Sequence, residues 1–144
     1  MGESTHLSHE ERVALILTAR AALDAAGLES MPVIAGTGAG STRETIELCR
    51  QAGKAGADYA MVIISGYFAG ALAGNRKALK DFWVDVSENS PIPILIYNCE
   101  FGVLDLRIFL PSFFSPKIPL QVEESTLILT SSSNLQSLVL IFAV

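Results

Sequence analysis

The strongest constraint on what this chain can fold into is a repeated strand-then-helix rhythm. It runs through the first hundred residues and stops. Three strand-like runs, Met31–Gly36, Asp58–Ile64 and Ile92–Ile96, alternate with three helical patterns at a spacing of about thirty residues, the period of right-handed βαβ crossovers. Tyr59–Ile64 is almost continuously apolar, as a parallel strand covered on both faces must be. Polar or glycine-rich residues follow each run, and the last run delivers Tyr97-Asn98 to the end of a buried strand. Parallel α/β sheets, open or closed, carry their chemistry at that end.

The helices announce their own boundaries. Ser8-His9-Glu10-Glu11 and Ser41-Thr42-Arg43-Glu44 each read as a capping box, in which the serine hydroxyl and the third-position glutamate satisfy orphan amides. After Ser8, the residues Val13, Ile16, Leu17 and Leu23 fall on an inward stripe, with Arg12, Arg20 and Asp24 on the wet side. Gly27 closes that helix. The second turns Ile46, Cys49 and Ala52 inward and ends near Gly53 or Gly56. Asn75 caps a third, whose Leu79, Phe82, Trp83 and Val86 form a core stripe. Pro91 and Pro93 restrict the last strand to beginning just beyond them.

From Phe101 the text changes. Alanine recurs only at Ala143 and glycine only at Gly102, while serine and leucine crowd the remainder. Leu127–Leu129 and Leu138–Phe142 could be strands, but no capping pattern joins them. The chain is therefore divided into residues 1–99, which carry the βα pattern, and a divergent tail, 100–144, that is β-rich or disordered. One reading of the tail is an unusual β-rich end. The preferred one is a discontinuity, as a shifted frame, a retained intron or an alternative splice produces.

Composition narrows the function classes. With 50% hydrophobic and 17% charged residues the chain reads as globular, and 144 residues suffice for one domain with a real core. A net charge of −5 argues against nucleic acid and against an anionic membrane surface, and the late apolar runs are too short to span a bilayer. The two cysteines, Cys49 and Cys99, have no metal-type spacing, no disulfide is expected, and His6 and His9 stand without a ligand cluster. No metal and no cofactor is expected. With no secretory signal visible, a cytoplasmic location is the default, a mitochondrial one the alternative.

The loop Gly36-Thr37-Gly38-Ala39-Gly40-Ser41 invites a dinucleotide reading. However, Ser41 stands where the third glycine belongs, and Ile63-Ile64-Ser65 stands where the ribose-binding acid belongs. A tight βα turn accounts for the loop without a ligand. A small nucleotide-binding α/β protein stays as the remaining alternative.

Taken together, Gly2-Glu3-Ser4, Leu7-Ser8-His9-Glu10-Glu11-Arg12, Val33-Ile34-Ala35-Gly36-Thr37-Gly38, Ser41-Thr42, Ala55-Gly56-Ala57-Asp58, Gly66-Tyr67-Phe68 and Ile96-Tyr97-Asn98 resemble the dihydrodipicolinate synthase / N-acetylneuraminate lyase family. The resemblance is nearest to the fungal-type 2-keto-3-deoxy sugar acid and 4-hydroxy-2-oxoglutarate aldolases and covers residues 2–98. It implies an α/β fold, a partial (β/α)8 TIM barrel of about three to four βα units. It implies a lyase in which a lysine forms a Schiff base with pyruvate or a 2-keto acid while a tyrosine relays protons. On that resemblance Tyr97 is the proton relay, Glu3 and Tyr67 line the substrate loops, and the partners are a small 2-keto acid or aldehyde and other copies of the chain. Phe68 stands where many members carry a second tyrosine. The motif breaks at Glu100, where the family continues toward Pro-Gly. The Schiff-base lysine is not found: Lys54 lies at a helix end, Lys77 and Lys80 lie on an exposed helical face, and Lys117 sits between prolines. The expectation is a truncated chain, inactive alone, with a non-catalytic fragment that associates with full-length subunits as the alternative. Such a fragment would leave sheet edges unpaired, unless Leu127–Leu129 covers one of them.

Overall fold

The computed structural model describes residues 6–64, 75–97, 120–123, 126–129 and 142–143. Within them the order is α1 (His9–Ala25), β1 (Ile34–Gly36), α2 (Thr42–Lys54), β2 (Tyr59–Val62), α3 (Arg76–Asn89), β3 (Ile94–Tyr97), β4 (Leu120–Glu123), β5 (Thr126–Leu129) and β6 (Phe142–Ala143). One sheet holds all six strands in the spatial order β4-β5-β3-β2-β1-β6.

β1, β2 and β3 are parallel neighbours, with Ile34 opposite Tyr59 and Ala60 opposite Ile94. Consecutive parallel strands joined by helices make the βαβ units that the periodicity predicts, and they form a segment of a barrel wall. Each strand is shorter than its apolar run. Pro32 and Pro93 lie just ahead of β1 and β3, and proline supplies no ladder donor.

Alternation along the strands separates two faces. Val33, Ala35, Ala60, Val62, Ile94 and Ile96 turn toward the helices. There they pack with Ile16 and Leu23 of α1, Cys49 and Ala52 of α2, and Leu79, Trp83 and Val86 of α3. Ile34 and Leu95 turn the other way and pack with Tyr59 and Met61. That second face is the concave, barrel-inner side. Phe82 meets Trp83 edge-on at 4.9 Å between ring centroids, so Trp83 is a core residue.

The helix termini are built from local chemistry. Ser8 forms the full capping box: its Oγ accepts from Glu11 N–H at 3.2 Å, and its own N–H donates to Glu11 Oε2 at 2.8 Å. α1 and α2 both end in Schellman motifs closed by glycines with positive φ. Gly27 (71°) is followed by Leu28 N–H to Leu23 O at 2.9 Å, and Gly56 (93°) by Ala57 N–H to Ala52 O at 3.0 Å. Asn75 caps α3, accepting from Ala78 N–H at 3.1 Å.

Three expectations are corrected. Ser41 forms only half a capping box: its Oγ accepts from Glu44 N–H at 3.2 Å, while the Glu44 carboxylate reaches His9 Nε2 at 3.3 Å instead of the cap. Leu17 is not on the inward stripe of α1; it is 51% exposed. Arg20 leaves the wet side, because its guanidinium is drawn down to the bottom of the sheet by Asp24, Asp58 and the Met31 carbonyl.

The edges of the parallel core are not left open either. β5 lies antiparallel against β3, Ile94 opposite Leu129 and Tyr97 opposite Thr126, and β4 pairs antiparallel with β5. On the other side β6 runs parallel to β1. Leu127–Leu129 is thus a strand, as its apolar run suggests. Of Leu138–Phe142 only Phe142 is described, in β6, and the rest lies outside the described residues.

Candidate active site

The C-terminal ends of β1, β2 and β3 gather the residues that follow each strand. Behind β1, Thr37 is buried and bound entirely inward. Its N–H donates to Met61 O at 2.9 Å, its Oγ1 donates to the same carbonyl at 3.3 Å, and it accepts from Cys49 Sγ at 3.3 Å. Thr37 therefore ties β1 to β2 and the loop to α2. Burial pushes the Cys49 thiol up from its ordinary value, opposed by the Thr37 hydrogen bond, so Cys49 is a protonated core side chain rather than a nucleophile.

Gly38 explains the glycine-rich text of the loop. A Cβ there would lie 2.6 Å from Ile63 Cγ2 and 3.0 Å from Ile63 N, so the loop presses directly on the end of β2. The glycine is required by close packing. That favours the tight turn over the dinucleotide reading, since a phosphate cradle needs open backbone amides.

Tyr97 is the last residue of β3 and shares the concave face with Leu95 two residues earlier. It is 44% exposed, and Ile63 beyond β2 is 40% exposed. Among the described residues the rim thus presents the Tyr97 phenol together with apolar side chains and the bare backbone of Gly36, at the strand ends where barrel chemistry resides. Glu3 and Tyr67, the other two site residues that the sequence suggests, lie outside the described residues, as do Phe68, Asn98 and Cys99. Only Tyr97 of that set is located.

The described amines lie elsewhere. Lys54 ends α2, and Lys80 is exposed on α3. Lys77, 85% exposed, is paired with Asp81 one turn on, which raises its pKa. A Schiff-base lysine needs the opposite, a desolvated amine with a lowered pKa. Lys117 lies outside the described residues. Among the described residues no group of three or more His, Cys, Asp or Glu could hold a metal ion. An open cleft of about 860 Å³, lined by His9, Arg43, Glu44, Glu47, Asp85 and Asn89, belongs to the helical layer on the far side of the sheet from Tyr97.

A barrel-wall segment with a tyrosine at the end of its third strand matches a known sequence profile. The dihydrodipicolinate synthetase family profile covers residues 1–108. The chain belongs to this family. Over 97 residues it is 50% identical to the Emericella nidulans protein named "Probable 4-hydroxy-2-oxoglutarate aldolase, mitochondrial", covering 67% of this chain and 31% of that one. It is 43% identical over 97 residues to the L-threo-3-deoxy-hexylosonate aldolase of Aspergillus niger, covering 67% and 29%. In three dimensions it resembles the chloride-inhibited dihydrodipicolinate synthase of Acinetobacter baumannii complexed with pyruvate, with a TM-score of 0.59 at 33% identity over 68% of this chain and 31% of that one. The family chain thus spans about 30% of the length of the curated relatives it matches. The partial barrel is the portion of a family fold that those residues encode.

Proposed function

We propose that residues 1–99 form one side of the active-site mouth of a class I aldolase acting on pyruvate-derived 2-keto acids, and that this chain alone does not complete the reaction. In that chemistry a lysine amine adds to the keto carbon and expels water to give an imine. A phenol beside it passes protons to and from the substrate oxygen. Tyr97 is the phenol. Its position at the rim of the concave face, in a chain of this family, is the observation that carries the reading. Glu3 and Tyr67 are assigned to the loops around the same mouth by their motifs. The pyruvate complex of the Acinetobacter baumannii relative and the aldolase names of the two fungal proteins support a small keto acid as substrate.

Incompetence follows from the amine. None of the described lysines stands on the sheet, and none is desolvated. A tyrosine without that nucleophile can order water and bind a carbonyl oxygen, but it cannot lower the barrier to carbon–carbon cleavage through an imine. The reading predicts that the purified chain cleaves 4-hydroxy-2-oxoglutarate and 2-keto-3-deoxy sugar acids no faster than buffer, and that Tyr97→Phe changes nothing. Turnover that is present in the unmodified chain and abolished in Tyr97→Phe would show an assembled site and refute the incompetence.

A further inference from the structure

The hydrogen-bond directions in β3 give the tail a specific task. Ala60 N–H donates to Pro93 O at 3.0 Å, which fixes the phase of the β2–β3 ladder. In a strand the N–H and C=O of one residue point to the same side and alternate along the chain. Leu95 and Tyr97 therefore bond toward β2, whereas Ile94 and Ile96 direct theirs away from it. The residues opposite Ile94 and Ile96 are Leu129 and Leu127 of β5. These are consequently the two hydrogen-bonded pairs of the antiparallel ladder, and Leu95 with Ile128 is a non-bonded pair between them.

Without β5, the edge of β3 would offer two N–H and two C=O groups along a strand whose Ile94, Leu95 and Ile96 are all buried apolar residues. Such an edge templates the addition of another strand. We propose that the β4–β5 pair is an in-cis plug of this edge: by occupying it in the antiparallel sense, it bars a second copy of this chain from adding a strand to β3. The opposed direction matters, because a barrel wall continues only by parallel addition, and that addition now requires β5 to leave first.

Residue-resolved amide exchange on the full chain tests it. In the unmodified chain Ile94 and Ile96 amides are expected to be protected along with Leu95. In Leu127→Pro, which removes the N–H aimed at Ile96 O, exchange at Ile94 and Ile96 should accelerate by about a hundredfold or more while Leu95, bonded to β2, stays slow. The same variant should sediment as a larger species than the unmodified chain at equal concentration. Free exchange of Ile94 and Ile96 in the unmodified chain beside a protected Leu95 would overturn the plug, and that measurement needs no variant that might fail to fold. An opened β3 edge in Leu127→Pro with unchanged sedimentation would also overturn it.

Discussion

At the residue scale, Asp58 does more than its place in the Ala55-Gly56-Ala57-Asp58 motif suggests. One carboxylate oxygen, Oδ2, accepts from Val33 N–H at 2.8 Å and from Arg20 Nη1 at 3.3 Å, so it fastens the start of β1 to the entry of β2 and both to α1. Val33 is fully buried, and its amide has no ladder partner ahead of β1. The exposed part of the ion pair contributes little in water. The buried amide is the costly part. Asp58→Ala is therefore expected to destabilise the chain by about 1–3 kcal/mol, while Asp58→Asn, which keeps an acceptor, loses markedly less. Urea unfolding of the two variants checks this, and equal losses would mean that the charge, not the acceptor, matters. The sequence gives Arg20 and Asp58 no shared motif, being 38 positions apart, and periodicity alone assigns Arg20 to solvent. Only the folded register brings them together.

At the scale of elements, what could be read in advance is what local chemistry decides. Ser8 with Glu11, Gly27, Asn75 and the Leu79–Val86 stripe are legible because each depends on neighbours within one or two helical turns. Glu44 was misleading for the same reason: its cap partner is local, but His9, from another helix, competes for the carboxylate and wins. The strand ends drift because prolines and an aspartate side chain, rather than hydrophobicity, decide where the ladder starts. The loop after β1 makes the point quantitatively. Gly38 reads as one glycine of an incomplete nucleotide motif, yet its role is contact with Ile63. Gly38→Ala should cost about 1–3 kcal/mol, because the new methyl meets Ile63 backbone as well as its side chain. Thermal unfolding measures it. If Gly38→Ala is as stable as the parent while Gly40→Ala, at a position with open space, is not, the packing account of this loop fails.

At the scale of the molecule, the chain is a piece of barrel wall whose two open sides are closed by strands from residues beyond 100. β5 takes the side of β3 and β6 the side of β1. The barrel segment was legible because the βα period and the family strings agree over the same residues. The location of Tyr97 followed from alternation in one strand. What the sequence could not yield was the direction in which the tail strands pair, since short apolar runs such as Leu127–Leu129 carry no signal that distinguishes parallel from antiparallel addition. Antiparallel pairing closes the parallel wall at β3, and the described lysines, Lys54, Lys77 and Lys80, all lie on helices.

Among the described residues that leaves the Tyr97 phenol at the strand-end rim and no desolvated amine beside it. The direct test is to incubate the purified chain with pyruvate, reduce with borohydride and weigh the intact protein. Reduction traps only an imine, so the account predicts an unchanged mass at pyruvate concentrations that label an aldolase subunit fully. A reduced pyruvyl adduct on Lys54, Lys77, Lys80 or Lys117 would contradict it.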